Sequence, residues 1–82
     1  MGYAFWLSSE AFHALLDSER RIRLKMEQAL LQLSAAPFGV PDFQERSPAG
    51  RIYDVKCFDE IIVTYWVDHA VKEVRIVRLE VA

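Results

Sequence analysis

The sequence lacks the features that mark exported or membrane-spanning proteins. It holds a single cysteine, Cys57, so no intrachain disulfide can form, which is typical of a protein from a reducing compartment. Residues 1–9 contain no positively charged stretch, so we predict no signal peptide. The longest apolar run, residues 61–67, is far shorter than the roughly 20 residues that cross a bilayer. We therefore expect a cytoplasmic protein without membrane association.

An excess of positive charge is also missing. The 10 Lys and Arg residues are outnumbered by 12 Asp and Glu residues, which gives a net charge of -2. Bulk attraction would not hold such a chain on nucleic acid, so any contact of that kind needs a local basic patch. Two distant histidines and one cysteine give no metal-ligand spacing, and we predict neither metal ion nor cofactor. The 82 residues, 52 % of them apolar, predict one globular domain, 1–82.

Two helices are predicted in the first half of the chain. After a short apolar strand, residues 3–7, Ser8 or Ser9 can cap the first helix, because a serine oxygen accepts a hydrogen bond from a free N–H. The apolar face of this helix is predicted to consist of Phe12, Leu15 and Leu16. The second helix follows Asp17-Ser18 and ends before Pro37. Its apolar stripe at helical spacing consists of Ile22, Met26, Ala29, Leu30 and Leu33, which Leu24 and Leu31 widen.

The second half of the chain is predicted to form strands joined by short turns, which makes neighbouring strands antiparallel. These strands are residues 43–46, 51–58, 61–67 and 73–81. In the second of them, we predict that Tyr53, Val55 and Cys57 face the core and that the Cys57 thiol is buried. In the last strand the apolar parity changes, which indicates either a β-bulge near Ile76-Val77 or two covered faces.

Together these elements predict an α+β fold. The N-terminal strand and the helical hairpin pack on one face of an antiparallel sheet of three to four C-terminal strands. The other face stays at least partly open. In the central strand, Trp66 has the opposite parity to Val63 and Tyr65, so one of the two sets leaves apolar surface exposed. Exposed apolar surface on a small domain favours a protein partner or a homodimer.

Four segments, in this order, resemble the RelE/ParE superfamily of toxins from type II toxin–antitoxin modules. The segments are residues 30–37 at the end of the second helix, then 50–56, 62–68 and 74–77 in the strands. They match a helix that ends near a proline, a "Gly, basic, Tyr, x, Val" strand, a "Tyr-x-Val" strand and a "Val-x-Ile" strand. The resemblance covers nearly the whole chain and implies the same fold and an antitoxin partner that wraps the toxin.

The resemblance also implies one of two activities. RelE-like members cleave mRNA in the ribosomal A site with basic residues of the open sheet face, whereas ParE-like members inhibit DNA gyrase and are not nucleases. Lys56 matches a basic position of the RelE-like enzymes. Asp54 and Ile62 stand where those enzymes often carry basic residues, and the sequence runs to Ala82 without their basic and aromatic tail.

Cleavage of RNA by its own 2′-hydroxyl group needs a base, an acid and positive charge near the phosphate. Basic side chains can supply the charge if they lie on one face. The candidate catalytic residues are Lys56, Arg51, Arg75 and Arg78, and the candidate substrate-binding residue is Arg46. The competing interpretation is a solvated sheet face whose charges serve solubility alone.

The remaining polar residues are interpreted as structural. His69 lies in the predicted Asp68-His69-Ala70 turn, and His13 lies on the first helix, so neither is favoured as a general base. The basic stretch of residues 20–25 can contact phosphates or can be the polar side of an amphipathic helix. The leading hypothesis is therefore a toxin that cleaves ribosome-bound mRNA. The alternative is a gyrase inhibitor or a degenerate family member that only binds protein.

Overall fold

The computed structural model describes residues 2–82, which form two helices and a five-stranded sheet. In chain order the elements are β1 (Ala4–Leu7), α1 (Ser9–Asp17), α2 (Arg20–Ala35), β2 (Phe43–Arg46), β3 (Ile52–Phe58), β4 (Ile61–Asp68) and β5 (Glu73–Val81). The strand order is β1-β5-β4-β3-β2. The predicted α+β architecture is confirmed, with one strand more in the sheet than predicted.

The sheet is antiparallel from β2 to β5, because turns of a few residues join these strands. The strand β1 is parallel to β5 and lies at the sheet edge. This parallel pairing was not predicted. It arises because two helices and three further strands separate β1 from β5 in the chain, so no hairpin turn sets their direction.

The helix boundaries follow from local chemistry. The Ser8 hydroxyl caps α1 by accepting a hydrogen bond from the Ala11 N–H at 3.1 Å. The helix α2 ends at Ala35, two residues before Pro37, as predicted. Ser18 does not cap α2, because its hydroxyl donates to the Ala14 carbonyl at 2.7 Å instead.

The core lies between the helices and the centre of the sheet. The helix α1 packs on β5, and α2 packs on β4 and β5. The predicted apolar stripe of α2 is confirmed, since all five of its side chains are buried. From the sheet the core receives Ile61, Val63, Tyr65, Val74, Ile76 and Leu79. Each such side chain stabilises the fold by about 1.5–3 kcal/mol when it is fully buried.

Several apolar side chains of the helices are exposed, in contrast to the prediction. Phe12 and Leu16 of α1 point outward, and only Leu15 of the predicted face packs against the core. In α1 the fully buried position is Ala11, because α1 lies so close to β5 that a small side chain fills the gap. Leu24 and Leu31 of α2 are also exposed. The helix layer therefore carries apolar surface on its outer side.

A β-bulge in β5 sets which residues share a face of the sheet. Thr64 pairs with Arg78, but the next residue, Tyr65, pairs with Ile76. Val77 is therefore the extra residue, as one of the two predicted alternatives required. The Ser8 hydroxyl donates to the Val77 carbonyl at 2.7 Å and satisfies the group that the bulge removes from regular pairing.

The face of β3 was predicted wrongly. Tyr53, Val55 and Cys57 lie on the side away from the helices, because Val55 and Cys57 pair with Thr64 and Ile62. On that side Val55 is nevertheless buried, whereas Cys57 is exposed rather than buried as predicted. The reason is that the helices cover β4 and β5 but not β3, so the polar side of β3 can lie on the helix side and still meet solvent.

Candidate functional site

The sheet has two faces, which we call the helix face and the open face. Side chains of residues that pair directly across antiparallel strands point to the same face. Ile61, Val63 and Tyr65 are buried under the helices and define the helix face. The alternate residues of β4 define the open face, together with their partners on the other strands. Its charged members on the strands are Glu45, Asp68, Glu73, Arg75, Arg78 and Glu80.

The bulge brings Arg75 and Arg78 onto the open face together. In a regular strand, two residues three positions apart point to opposite faces. The extra residue Val77 shifts the parity by one, so Arg75 pairs with Trp66 and Arg78 pairs with Thr64, both of which are on the open face. The sequence had left open which basic residues the bulge would bring together.

Arg78 is held by carboxylates from two other positions. Its Nη2 lies 2.8 Å from both carboxylate oxygens of Glu45, and its Nε lies 3.0 Å from Oε1 of Glu80. The guanidinium group reaches from β5 to the edge strand β2 and passes Thr64, whose Oγ1 is 3.4 Å from Nη2. The hydrogen bond to Glu45 raises the pKa of Arg78 above its ordinary value, which burial alone would lower. The Arg78 guanidinium group therefore always carries its positive charge, and the carboxylates of Glu45 and Glu80 offset that charge.

Arg75 and Arg51 are arranged differently, because they stack on tryptophans. The Arg75 guanidinium carbon lies 4.8 Å from the centre of the Trp6 ring and 5.9 Å from that of Trp66. The guanidinium carbon of Arg51 lies 4.6 Å from the Trp66 ring centre. All three separations lie within the range of a cation–π interaction. One terminal nitrogen of Arg75 also binds Glu73 at 2.8 Å.

The remaining candidate residues, Lys56 and Arg46, lie on the helix face. Lys56 pairs with the buried Val63, and its Nζ donates to the Val40 carbonyl at 2.9 Å. Arg46 pairs with Ile52, beyond the reach of the helices. The five candidate residues are thus divided into three on the open face and two on the helix face. The condition that all five share one face is not met.

Tyr65 is a titratable side chain that lies buried on the helix face. Burial raises the pKa of Tyr65 to about 12, and the negative charges of Asp54 and Asp42 act in the same direction. The phenol is therefore neutral at any physiological pH. It is a core residue and not an acid–base group of the open face.

The histidines lie away from the three arginines, as their predicted positions in a turn and a helix imply. His69 lies in the turn between β4 and β5, where its Nδ1 is 3.1 Å from the Tyr3 hydroxyl. The imidazole also stacks on the Phe38 ring, with 5.0 Å between ring centres. His13 is exposed on α1.

The basic stretch of α2 has a structural role. Lys25 binds Asp59 at 2.7 Å and Glu60 at 3.0 Å, and Arg21 binds Glu60 at 2.7 Å. These pairs connect α2 to the turn between β3 and β4. The hydrogen bonds from Lys25 and Arg21 lower the pKa of Glu60 below its ordinary value. The interpretation of this stretch as the polar side of an amphipathic helix is favoured for Lys25 and Arg21.

Two kinds of feature are absent from residues 2–82. This part of the chain contains no group of three or more His, Cys, Asp or Glu side chains arranged to hold a metal ion. No helix within it is long and apolar enough to cross a membrane. A shallow groove of about 180 Å³ lies between α2 and the turn after β3, and Lys25, Gln28, Gln32 and Asp59 line it. It lies on the helix side, away from the three arginines.

Four members of the open-face arrangement were not predicted as site residues: Trp6, Glu45, Trp66 and Glu80. Only Glu80 could have been foreseen, because it lies two residues from Arg78 in the same strand and so points to the same face. The contact between Glu45 and Arg78 spans two intervening strands and depends on the strand order. No spacing in the sequence encodes it.

The complete fold is similar to that of solved toxin–antitoxin proteins. A chain of the complex RelBE2 from Mycobacterium tuberculosis superposes with a TM-score of 0.80 over 100 % of both chains, at 19 % identity. A chain of the archaeal RelE–RelB complex from Pyrococcus horikoshii gives 0.73 at 14 % identity, over 99 % of this chain and 96 % of that one. For the RelBE complex from E. coli the TM-score is 0.64 at 14 % identity, over 98 % and 96 %. Neither a protein-family model nor a curated protein matches the sequence.

The predicted resemblance is thus confirmed for the fold, which is RelE-like over the whole described chain. The absence of a sequence match has a plain physical reason. Cores tolerate extensive hydrophobic substitution when volume and pattern are kept, so many different sequences can form one fold.

Proposed function

We propose that this chain, which has the RelE-like fold, is the toxin component of a type II toxin–antitoxin module. The observation that supports this proposal is the match over the full length of chains from three toxin–antitoxin complexes. A partial match would leave room for an unrelated domain that shares only a sheet and two helices. Here the similarity to the first of these chains covers 100 % of both chains.

An antitoxin partner is part of this proposal. The outer side of the helix layer exposes Phe12, Leu16, Leu24 and Leu31. Large apolar side chains that are exposed on a small domain favour a protein-binding surface. An antitoxin segment with apolar side chains at matching positions would cover them. A homodimer would cover these side chains as well. Measuring the mass of the free chain in solution tests whether the homodimer forms.

Within this role, cleavage of ribosome-bound mRNA is the finer proposal. Arg51, Arg75 and Arg78 lie on one face, where their positive charges can stabilise a phosphate on which negative charge develops. In such a reaction the 2′-oxygen attacks the phosphorus, and a carboxylate beside Arg78 (Glu45 or Glu80) can accept the proton of the 2′-hydroxyl. The 5′-oxygen leaves and takes up a proton from water.

A second candidate function is inhibition by binding alone, with DNA gyrase or another protein as the target. The observation that favours it is the pairing of Arg78 with two carboxylates. A guanidinium group that is already neutralised contributes less to phosphate binding. Ile62 supports the same alternative, because it lies on the open face where RelE-like enzymes often carry a basic residue.

Controlled expression tests the toxin role. Induction of the wild-type chain should arrest growth, and co-expression of the small protein encoded next to it should restore growth. In a translating extract, mapping of mRNA ends should then reveal new ends that require ribosomes. Intact mRNA in an extract whose translation is inhibited would remove the nuclease and leave the binding function. Normal growth and unaffected translation, with no inhibition of gyrase in a supercoiling assay, would contradict both.

A further inference from the structure

We propose that four side chains of the open face form a stacking platform for the unpaired bases of single-stranded RNA. The platform consists of Trp6, Arg75, Trp66 and Arg51. This inference rests on the proposed function and extends it, because it assigns recognition of RNA to residues that no family motif supplies. It also assigns recognition of the RNA to the platform and cleavage to the neighbouring Arg78 and its carboxylates.

The geometry of the platform follows from strand pairing. Trp6 of β1 and Trp66 of β4 both pair with Arg75 of β5, so the three side chains lie side by side on adjacent strands. Arg51, which precedes β3, places its guanidinium group over Trp66 from the other side. Since neighbouring strands are about 4.8 Å apart, the platform extends across the sheet for roughly 14 Å. Indole rings thus alternate with guanidinium groups along a line across the sheet.

This alternation suits unpaired bases. A base can stack on an indole ring or on a guanidinium plane, and RNA-reading sheets use aromatic side chains of an open antiparallel face to stack two or three bases. The exposed fraction of Trp6 is 51 %, although it is a large aromatic residue at the centre of a strand. A base pair in a duplex hides its flat surfaces against its neighbours, so only single strands offer a partner for this platform.

Arg75 provides an independent observation. Its Nε is enclosed, and it has no hydrogen-bond partner among residues 2–82. A buried N–H donor without an acceptor is unfavourable, and most such donors in proteins are paired. Because this N–H is enclosed, a phosphate oxygen or a base carbonyl oxygen satisfies it only by displacing part of the side chains that surround it. The stacked tryptophans hold the guanidinium plane in place before a ligand arrives.

The charges around the platform distinguish its two arginines from Arg78. Among residues 2–82, Arg51 forms no ion pair, and Arg75 has Glu73 as its ion-pair partner. The carboxylates of Glu45 and Glu80 are instead held by Arg78. Asp68 also lies on this face, so the open face carries no net positive charge, and the platform cation that remains for a phosphate is Arg51. Stacking on the exposed Trp6 ring and on the guanidinium planes is therefore what favours unpaired RNA bases as the ligand.

Titration of a labelled oligouridine of roughly ten nucleotides tests the platform, with a hairpin duplex of the same length for comparison. Trp6→Leu is the test variant. Phe12→Leu is the matched control, because it removes an aromatic ring of similar exposure from α1. We expect Trp6→Leu to weaken binding of the oligouridine by roughly 5- to 100-fold and Phe12→Leu to leave it unchanged. The wild type should prefer the single strand to the duplex.

The salt dependence separates stacking from charge. Trp6→Leu should leave the slope of log K against log salt unchanged, whereas Arg51→Ala should reduce its magnitude by about 0.7 for one lost phosphate contact. Arg75→Lys should weaken binding, because lysine keeps the charge but loses the plane. Circular dichroism of each variant confirms that it is folded before its affinity is interpreted.

The outcomes distinguish the platform from the toxin role. Equal affinities of the Trp6→Leu and Phe12→Leu variants, equal binding of duplex and single strand, or no binding at about 50 mM salt would each overturn the platform. If the platform is wrong but the toxin role is right, Trp6→Leu inhibits a translating extract as well as the wild type does. If the toxin role is wrong, the oligouridine result stands while the wild type leaves translation unaffected.

Discussion

The two faces of β4 are covered in different ways. On the helix face, Ile61, Val63 and Tyr65 are buried by apolar side chains of the helices and of β5. On the open face, Thr64 is contacted by the Arg78 guanidinium group, and Trp66 lies beneath those of Arg51 and Arg75. One strand thus separates a dry core from a layer of charged planar groups. The first face explains the stability of the domain, and the second offers groups that can contact a ligand.

The largest expected effect comes from replacing adjacent isoleucines on the two faces. Ile61 is fully buried on the helix face, and Ile62 is partly buried on the open face. We expect Ile61→Ala to lower the free energy of unfolding by about 2–5 kcal/mol. Ile62→Ala should cost only about 1 kcal/mol, because less apolar area is lost. Urea denaturation of both variants measures the difference, and equal losses would contradict this division between the faces.

The loss of stability at alkaline pH tests the burial of the helix face. Tyr65 lies on that face, and its pKa is raised to about 12. In the unfolded chain a tyrosine titrates near pH 10. Between these two values the unfolded chain loses the Tyr65 proton while the folded chain keeps it, so stability falls as the pH rises. The fall should be smaller in Tyr65→Phe. Absorbance at alkaline pH should show one tyrosine that titrates near 12, and titration of all three near 10 would contradict the burial.

The ion pair of the open face is the next comparison. Glu45→Gln removes the charge that neutralises Arg78 while it keeps the size of the side chain. Stability should fall by about 1 kcal/mol or less, because the pair is about one-third exposed. The affinity for single-stranded RNA should rise, with a salt slope that is steeper by about 0.7. Glu10→Gln on α1, far from the open face, is the matched control, and equal affinities of the two variants would count against competition between Glu45 and phosphate.

The smallest expected effect concerns Glu60, whose pKa is lowered by Lys25 and Arg21. A carboxylate with a depressed pKa in the folded state contributes stability above its unfolded pKa of about 4.3, and this contribution is lost as the pH falls below that value. In Glu60→Gln, stability should therefore fall slightly less than in the wild type as the pH is lowered. The wild type and the variant can be compared by thermal unfolding between about pH 3 and 6. Equal losses of stability at acid pH in the wild type and the variant would show that the ion pairs of Glu60 contribute nothing.

The sequence predicted the elements with strong periodicity. The apolar stripe of α2 and its end before Pro37 needed only helical spacing and a proline, and both were confirmed. Cys57, Phe12 and Leu16 were placed on the wrong side. Their positions depend on how far the helices extend over the sheet, and apolar spacing within one element does not determine that.

The candidate site was predictable only in part. The bulge near Val77 was one of two alternatives, and it decides that Arg75 and Arg78 share a face. The position of Lys56 on the other face follows from the register of β3 against β4, which no turn residue revealed. The contact between Glu45 and Arg78 required the full strand order. Long-range pairing, and not local propensity, therefore determines the composition of the open face.

The sequence predicted a catalytic role for Lys56, whereas its position on the helix face argues against that role, so this residue allows the two faces to be compared directly. Arg75→Ala and Lys56→Ala should be added to the same translating extract at equal concentration, and mRNA ends should be mapped. Because Arg75 belongs to the open face and Lys56 to the helix face, we expect Arg75→Ala to lose most of the cleavage and Lys56→Ala to retain it. Loss of cleavage in Lys56→Ala with full cleavage in Arg75→Ala would contradict the account.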